Sequence, residues 1–180
     1  MATFMRAFPL YLLVLFLLPD AAYAEQLSLV LNGKSIHVDA DYDWNEANRG
    51  LGFEYQFRRR GPWVVKALAS QFEDSNRNNS VMTGVGVSRR LIGAHRDARV
   101  YLDAGLVAFA MSRESNGGRR ILPGVLPAVS VGTRNVGLNL TYIPEFAARK
   151  MSRAHEYDPG MGGIVFVQAR ISLDLVRPRR

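Results

Sequence analysis

The chain has 180 residues, no cysteine and a formal net charge of +7. That length suits one domain, and without cysteine no disulfide framework can hold it together. Beyond the N-terminal apolar run, no stretch reaches the length of a transmembrane helix; for that run itself the plain alternative to a cleaved signal is an uncleaved anchor.

The first element reads as a secretory signal. Residues 1–6 form a short n-region carrying Arg6, and residues 8–18 form an apolar run with Pro9 near its start. Pro19 and Asp20 break the run, and Ala22-Tyr23-Ala24 is a small-x-small cleavage site. Cleavage is expected after Ala24, leaving a signal peptide at 1–24 and one β-barrel domain at 25–180. For an exported chain a nucleic-acid partner is excluded. Scattered Arg and Lys suit anionic lipid head groups instead.

Eight candidate strands follow, at 26–38, 49–58, 62–73, 79–90, 98–111, 120–132, 135–146 and 161–174. Their polarity alternates with period two. In the second, Leu51, Phe53, Tyr55 and Phe57 oppose Gly52, Glu54 and Gln56. In the fourth, Val81, Thr83, Val85 and Val87 oppose Met82, Gly84, Gly86 and Ser88. In the eighth, Val165, Val167, Ala169, Ile171 and Leu173 oppose Phe166, Gln168, Arg170 and Ser172. An apolar face backed by small or polar residues suits an all-β protein, an eight-stranded antiparallel transmembrane β-barrel of the outer membrane. A soluble β-sandwich would alternate in the same way; the signal and the strand lengths favour the barrel. Asn32-Gly33 in the first strand is expected to form a bulge. That bulge keeps Ile36 and Val38 on the lipid face of Leu27, Leu29 and Leu31, and turns His37 to the lumen.

Bacterial barrels keep both termini in the periplasm, with short periplasmic turns and longer external loops. The connections at 39–48, 74–78, 112–119 and 147–160 are then external, and those at 59–61, 92–97 and 133–134 periplasmic. His37, Asp74 and Ser75 therefore meet on one external rim. A His near a Ser can act as general base for an attacking hydroxyl. A carboxylate can orient the imidazole and stabilise its cation. The attacking hydroxyl is Ser75's own or a substrate's, and the sequence leaves both open. The plain alternative is an Asp-Ser turn and a non-catalytic His.

Three blocks give the chain a family likeness. The strongest is Leu122-Pro123-Gly124-Val125-Leu126-Pro127-Ala128-Val129-Ser130-Val131-Gly132, followed by Thr141-Tyr142-Ile143-Pro144. The second is Phe72-Glu73-Asp74-Ser75 with Gly84-Val85-Gly86 behind it, and the third is Asn45-Glu46 ahead of the strand starting at Gly50. In order and spacing the chain resembles the lipid A palmitoyltransferases of the PagP family from about His37 to Leu173.

The resemblance implies that His37, Asp74 and Ser75 match the family's catalytic residues. It implies transfer of a palmitoyl chain from a glycerophospholipid donor to a hydroxyacyl chain of lipid A. Gly86 matches the floor of the family's acyl-chain pocket, where a strand glycine leaves room; otherwise it would merely relieve crowding. Pro123, Pro127 and Pro144 lack backbone donors and would weaken the ladder into a lateral lipid gate; the plain alternative is proline at strand starts. Arg113 matches a family arginine near lipid A, and its guanidinium fork suits phosphate. Arg119, Arg120, Arg149, Lys150 and Arg153 are expected on external loops, where solvated charge is the plainer reading. His95 is expected in a periplasmic turn and His155 in the last external loop, without a ligand pattern around them, so no metal and no cofactor are assigned. A monomer is expected.

The chain also departs from the family. Almost nothing separates Ala24 from the first strand, so the amphipathic helix that often precedes it is expected to be absent. The last strand ends Ile171-Ser172-Leu173 with a basic tail to Arg180, without the terminal aromatic. Asn76, Asn79 and Val85 replace aromatics expected around the active rim. Two other functions fit the scaffold: a lipid A or phospholipid deacylase, and a non-catalytic structural or adhesion barrel.

Overall fold

Period-two alternation becomes an inside and an outside once the strands close on one another. The computed structural model describes residues 24–40, 44–57, 61–93, 99–113, 121–151 and 162–173. Eight strands follow one another, β1 (Ala24–Val38), β2 (Ala47–Phe57), β3 (Trp63–Glu73), β4 (Asn79–Ile92), β5 (Tyr101–Arg113), β6 (Ile121–Gly132), β7 (Val136–Pro144) and β8 (Gly163–Ser172). Each pairs antiparallel with the next, and β8 pairs with β1 to close the barrel. Closure removes both sheet edges and satisfies backbone groups between strands, which the bilayer demands. The signal segment through residue 23 lies outside the described residues.

Strand bounds differ from the sequence expectation by no more than three residues. One element was not expected. The seventh strand stops at Pro144, and Glu145–Met151 forms a helix, α1, where strand and then loop were anticipated. Pro144 limits further pairing, while Ala147, Ala148, Arg149 and Lys150 are good helix formers and Glu145 complements the helix N-terminus.

The expected bulge is present. Asn32 pairs with Gln168 and Lys34 with Val167, so Gly33 has no partner on β8, and the β2 register also shifts there. Before it Gln26, Ser28, Val30 and Asn32 face inward; after it Ser35 does. The side chain of His37 is only 3 % exposed. One inserted residue thus reverses the facing parity of everything that follows it on β1.

Outside, Leu51, Phe53, Val85, Val87, Leu106, Val125 and Leu138 form an exposed apolar face. An aqueous monomer would rarely expose such a surface, but lipid requires it. Inside, the barrel is layered. Phe72, Phe109, Met111 and Leu126 form an apolar cluster towards one rim, with Met82, Leu122, Ile143 and Phe166 against it. Beyond this cluster the lumen is filled by a polar network. Asn32 Nδ2 donates to Ser70 Oγ at 2.6 Å, Asn139 Nδ2 to Glu54 Oε2 at 2.9 Å, and Arg170 Nη2 to the Tyr101 hydroxyl at 2.8 Å. Arg90 grips Asp103 through two bonds of 2.6 and 3.0 Å. Paired in this way, Glu54, Arg90, Asp103 and Arg170 are not left as bare charges in the lumen.

Candidate active site

The bulge aims His37 into the lumen one residue before β1 ends. The β3–β4 turn brings Ser75 to meet it: His37 Nε2 and Ser75 Oγ are 3.1 Å apart. Trp44 stacks on the imidazole, with ring centroids 5.6 Å apart and planes inclined by 20°.

Asp74 reaches the rim but is engaged in shaping the turn. Its Oδ1 accepts from the backbone N–H groups of Asn76 and Asn78 at 2.9 and 3.0 Å, and its Oδ2 accepts from Ser80 Oγ at 3.2 Å. Backbone bonds from Asp74 N to Asn78 O at 2.8 Å and Arg77 N to Asp74 O at 2.9 Å tighten the same loop, with Arg77 left-handed at φ 61°. This side-chain-to-backbone pattern fixes where Ser75 points.

The carboxylate found at His37 belongs to Glu46. Glu46 Oε1 accepts from the His37 backbone N–H at 3.1 Å and lies 3.6 Å from Nδ1. Lys34 Nζ holds Oε2 at 3.3 Å. The Glu46 carboxyl is held below its ordinary range, chiefly by the His37 backbone N–H; desolvation opposes this, and Lys34 adds a further lowering. Its neighbour Asn45 ties this segment to the β3–β4 turn. Asn45 N donates to Ser75 O, and Asn45 Nδ2 to Asp74 O, both at 3.2 Å. The sequence had marked Asn45-Glu46 as a block, yet nothing local linked Glu46 to His37. Only the folded β1–β2 connection does so.

A cavity of about 160 Å³ opens at this pair. Ser35, His37, Trp44 and Ser75 line its mouth, with Ala148 of α1. Phe72, Phe109, Met111 and Leu126 wall it, and it descends to Gly86. A Cβ added at Gly86 would stand 3.4 Å from Val107 Cγ2 and 3.9 Å from Lys66 Cβ, ordinary contact distances. Beside Gly86, Lys66 Nζ lies 3.2 Å from Glu54 Oε1 and 3.2 Å from Ser130 Oγ. An apolar shaft therefore ends on a buried ion pair that sequence inspection did not single out.

The prolines bear on one seam unequally. The β5–β6 ladder runs unbroken from Ser112↔Ile121 to Tyr101↔Gly132, through Pro123 and Pro127. The β6–β7 ladder covers only Ala128↔Thr141 to Gly132↔Gly137. Pairing with β7 thus stops where Pro127 would be next. Pro123 and Pro127 are an even number of residues apart, so their missing donors face the same neighbour; the broken ladder identifies it as β7. Pro144 pairs instead with Gly163 of β8.

Arg113 is the last residue of β5 and pairs with Ser80, placing its backbone beside the Asp74 turn. The loop cations Arg119, Arg120 and Arg153, and His95 and His155, lie outside the described residues. Arg149 and Lys150 belong to α1. The position of Val85 corrects an expectation: it sits at mid-strand opposite Ala67 and Ala108, 50 % exposed on the lipid face. It is not a rim residue, because odd-numbered positions of β4 point outward.

These features define a class: a lipid-facing barrel whose apolar internal shaft opens at a His–Ser pair. Residues 28–170 match the family described as "PagP: Antimicrobial peptide resistance and lipid A acylation protein PagP", and the chain belongs to that family. It is an acyltransferase family acting on lipid A in the outer membrane. None of the curated protein sequences matches the chain. Solved structures similar to it include Neisserial surface protein A (NspA), at 14 % identity over 81 % of this chain and 94 % of that one, with TM-score 0.39. Another is Ail, the attachment invasion locus protein of Yersinia pestis, in complex with the heparin analogue sucrose octasulfate. It has 14 % identity over 82 % of this chain and 96 % of that one, with TM-score 0.35.

Proposed function

We propose that this chain is exported with removal of residues 1–24 and transfers a palmitoyl chain from a glycerophospholipid to a hydroxyacyl chain of lipid A. The observation that carries this reading is the 3.1 Å His37–Ser75 contact at the mouth of an apolar shaft. The shaft holds the donor's acyl chain with its ester at the rim, and the external rim lies in the leaflet that holds the acceptor. Confinement of two amphiphiles at one edge raises their effective concentration.

In the reaction, His37 Nε2 takes the proton of the attacking hydroxyl. That oxygen bonds to the acyl carbonyl carbon, and the bond from this carbon to the glycerol oxygen breaks. The imidazolium then returns the proton to the departing glycerol oxygen. In a direct route the hydroxyl is the acceptor's, with Ser75 holding it by a hydrogen bond. In a two-step route Ser75 Oγ first carries the acyl group. Asp74 keeps Ser75 in place through the turn. Arg113 supplies charge for a lipid A phosphate. The Pro123 and Pro127 seam admits lipid sideways, and Pro144, at the rim end of β7, leaves the neighbouring strand end without a further ladder donor. Gly86 sets the depth available to the chain.

Mass spectrometry of lipid A from cells with and without the protein tests this directly. An added palmitoyl mass with matching lysophospholipid supports transfer. Loss of an acyl chain from lipid A supports a lipid A deacylase, unchanged lipid A with new lysophospholipid supports a phospholipid deacylase, and no change in either supports a non-catalytic barrel.

A further inference from the structure

A general base needs a defined tautomer as well as proximity. His37 can use Nε2 as acceptor from a hydroxyl only if the ring proton sits on Nδ1. Left alone, a neutral imidazole divides its proton between the two nitrogens, and a proton on Nε2 would donate to Ser75 Oγ and silence the base. The group facing Nδ1 therefore decides how much of the enzyme is competent.

We infer that Glu46 is the positioning residue that holds His37 in its base-competent tautomer, in the role that the sequence suggested for Asp74. This rests on the reading of His37 as the general base. The contacts of residues 44–46 support it. Glu46 Oε1 accepts the His37 backbone N–H at 3.1 Å and stands 3.6 Å from Nδ1, an electrostatic rather than a hydrogen-bonded distance, and Nδ1 has no hydrogen-bond partner among the described residues. Glu46 O accepts the Ser35 N–H at 3.0 Å, which locks the connection to β1 two residues earlier. Asn45, next in the chain, is bonded to the main chain of Asp74 and Ser75. The segment thus clamps base and hydroxyl from both sides, while Trp44 holds the ring face. Asp74 has its Oδ1 on two backbone donors and its Oδ2 on Ser80, 74-to-80 contacts that belong to the turn. The carboxylate of Glu46 is 36 % exposed and Lys34 shares it, so its attraction is screened and its value lies in orientation.

The test uses the folded full-length protein in detergent micelles, with a palmitoyl glycerophospholipid as donor and lipid A as acceptor. Glu46→Gln removes the charge and keeps the shape. It is expected to lower kcat by about ten- to a hundredfold, less than the loss of the general base itself, with little change in KM. Loss of the anion also makes imidazolium less stable, so the acid limb of the pH–rate profile moves to lower pH. Glu46→Asp is expected to restore part of the rate and return the limb towards wild type. His37→Ala serves as the reference for the parent reading. If His37→Ala retains activity, the parent reading fails. If His37→Ala is inactive while Glu46→Gln keeps the wild-type rate, the positioning role alone is overturned. A reduced rate with an unmoved acid limb overturns it as well, because Glu46 would then be only a strut. Should Glu46→Gln lose the barrel's circular dichroism, Glu46→Asp and ¹⁵N chemical shifts of the His37 ring carry the decision, a protonated Nε2 in the wild type counting against the role.

Discussion

His37 Nε2 and Ser75 Oγ, 38 positions apart in the sequence, meet at 3.1 Å and join the end of β1 to the turn after β3. Under the proposed mechanism both side chains act on the same proton. His37→Ala and Ser75→Ala should each cut lipid A palmitoylation at least a hundredfold while leaving a folded barrel. Thin-layer separation of radiolabelled products measures the loss, and wild-type rates in both variants would refute the site. Glu46 bears on the pH dependence. Its carboxyl is depressed, so whatever stability it contributes is complete above the ordinary carboxyl range and is lost only as pH falls through the depressed value. An acid limb above the carboxyl range must therefore come from another group, and His37→Ala should remove it from whatever residual activity remains.

Asp74 holds two backbone donors and the Ser80 hydroxyl, and it is 4 % exposed. Asp74→Ala leaves these donors without their acceptor, a cost of roughly 1–3 kcal/mol. Urea unfolding in detergent should show that loss. Activity should fall with it, because Ser75 sits inside the loosened turn. A variant of unchanged stability would show that the turn does not depend on the carboxylate.

At Gly86 a new Cβ meets only ordinary contacts, so a larger side chain should enter the cavity without displacing the backbone. Gly86→Met is predicted to shorten the shaft and shift donor preference from sixteen-carbon chains, as drawn from the family likeness, to shorter ones. Competition among phospholipids of different chain length reads this out. Continued preference for palmitate would sink the depth-gauge role.

The ion pair under the shaft should be asymmetric. Among the described residues, Glu54→Gln leaves Lys66 with neutral partners alone, the Ser130 hydroxyl and an amide oxygen, and no counter-charge. Lys66→Met leaves Glu54 with Asn139 and with Arg170, whose Nη1 is 3.8 Å away. Breaking a buried pair typically costs about 3–5 kcal/mol. Glu54→Gln is expected at the upper end of that range and Lys66→Met below it. Equilibrium unfolding of the two variants gives the order, and the reverse order would contradict it.

Pro127 stands one residue beyond the last β6–β7 pair, Ala128↔Thr141. Pro127→Ala restores a backbone donor and lets the ladder lengthen. The variant should unfold at higher temperature and turn over more slowly if lipid passes through this seam. A faster or unchanged rate would argue against entry there.

Much of the architecture could be read from local chemistry. The period-two pattern predicted the strands because every second residue must meet lipid. Asn32-Gly33 predicted the bulge, because Ile36 and Val38 could rejoin the lipid face only if one residue were inserted. Strand counting brought His37, Asp74 and Ser75 to one rim. α1 was missed because Pro144 ends the strand while its apolar followers, Phe146 and Ala147, resemble more strand. Phe146 is in fact 75 % exposed on the helix. Val85 was misplaced because likeness to a motif does not convey depth along a strand.

Alternation, turn residues and the order of motifs were enough to establish the barrel, its bulge, the facing of the strands and the family. Only the fold shows which carboxylate lies nearest the His37 ring, what stands beneath Gly86 and where the β6–β7 ladder stops short. Glu46 approaches the imidazole through the shape of a connection, and Lys66 meets Glu54 across the lumen through register and closure. Those contacts are set by the three-dimensional path of the chain, which residue spacing does not encode.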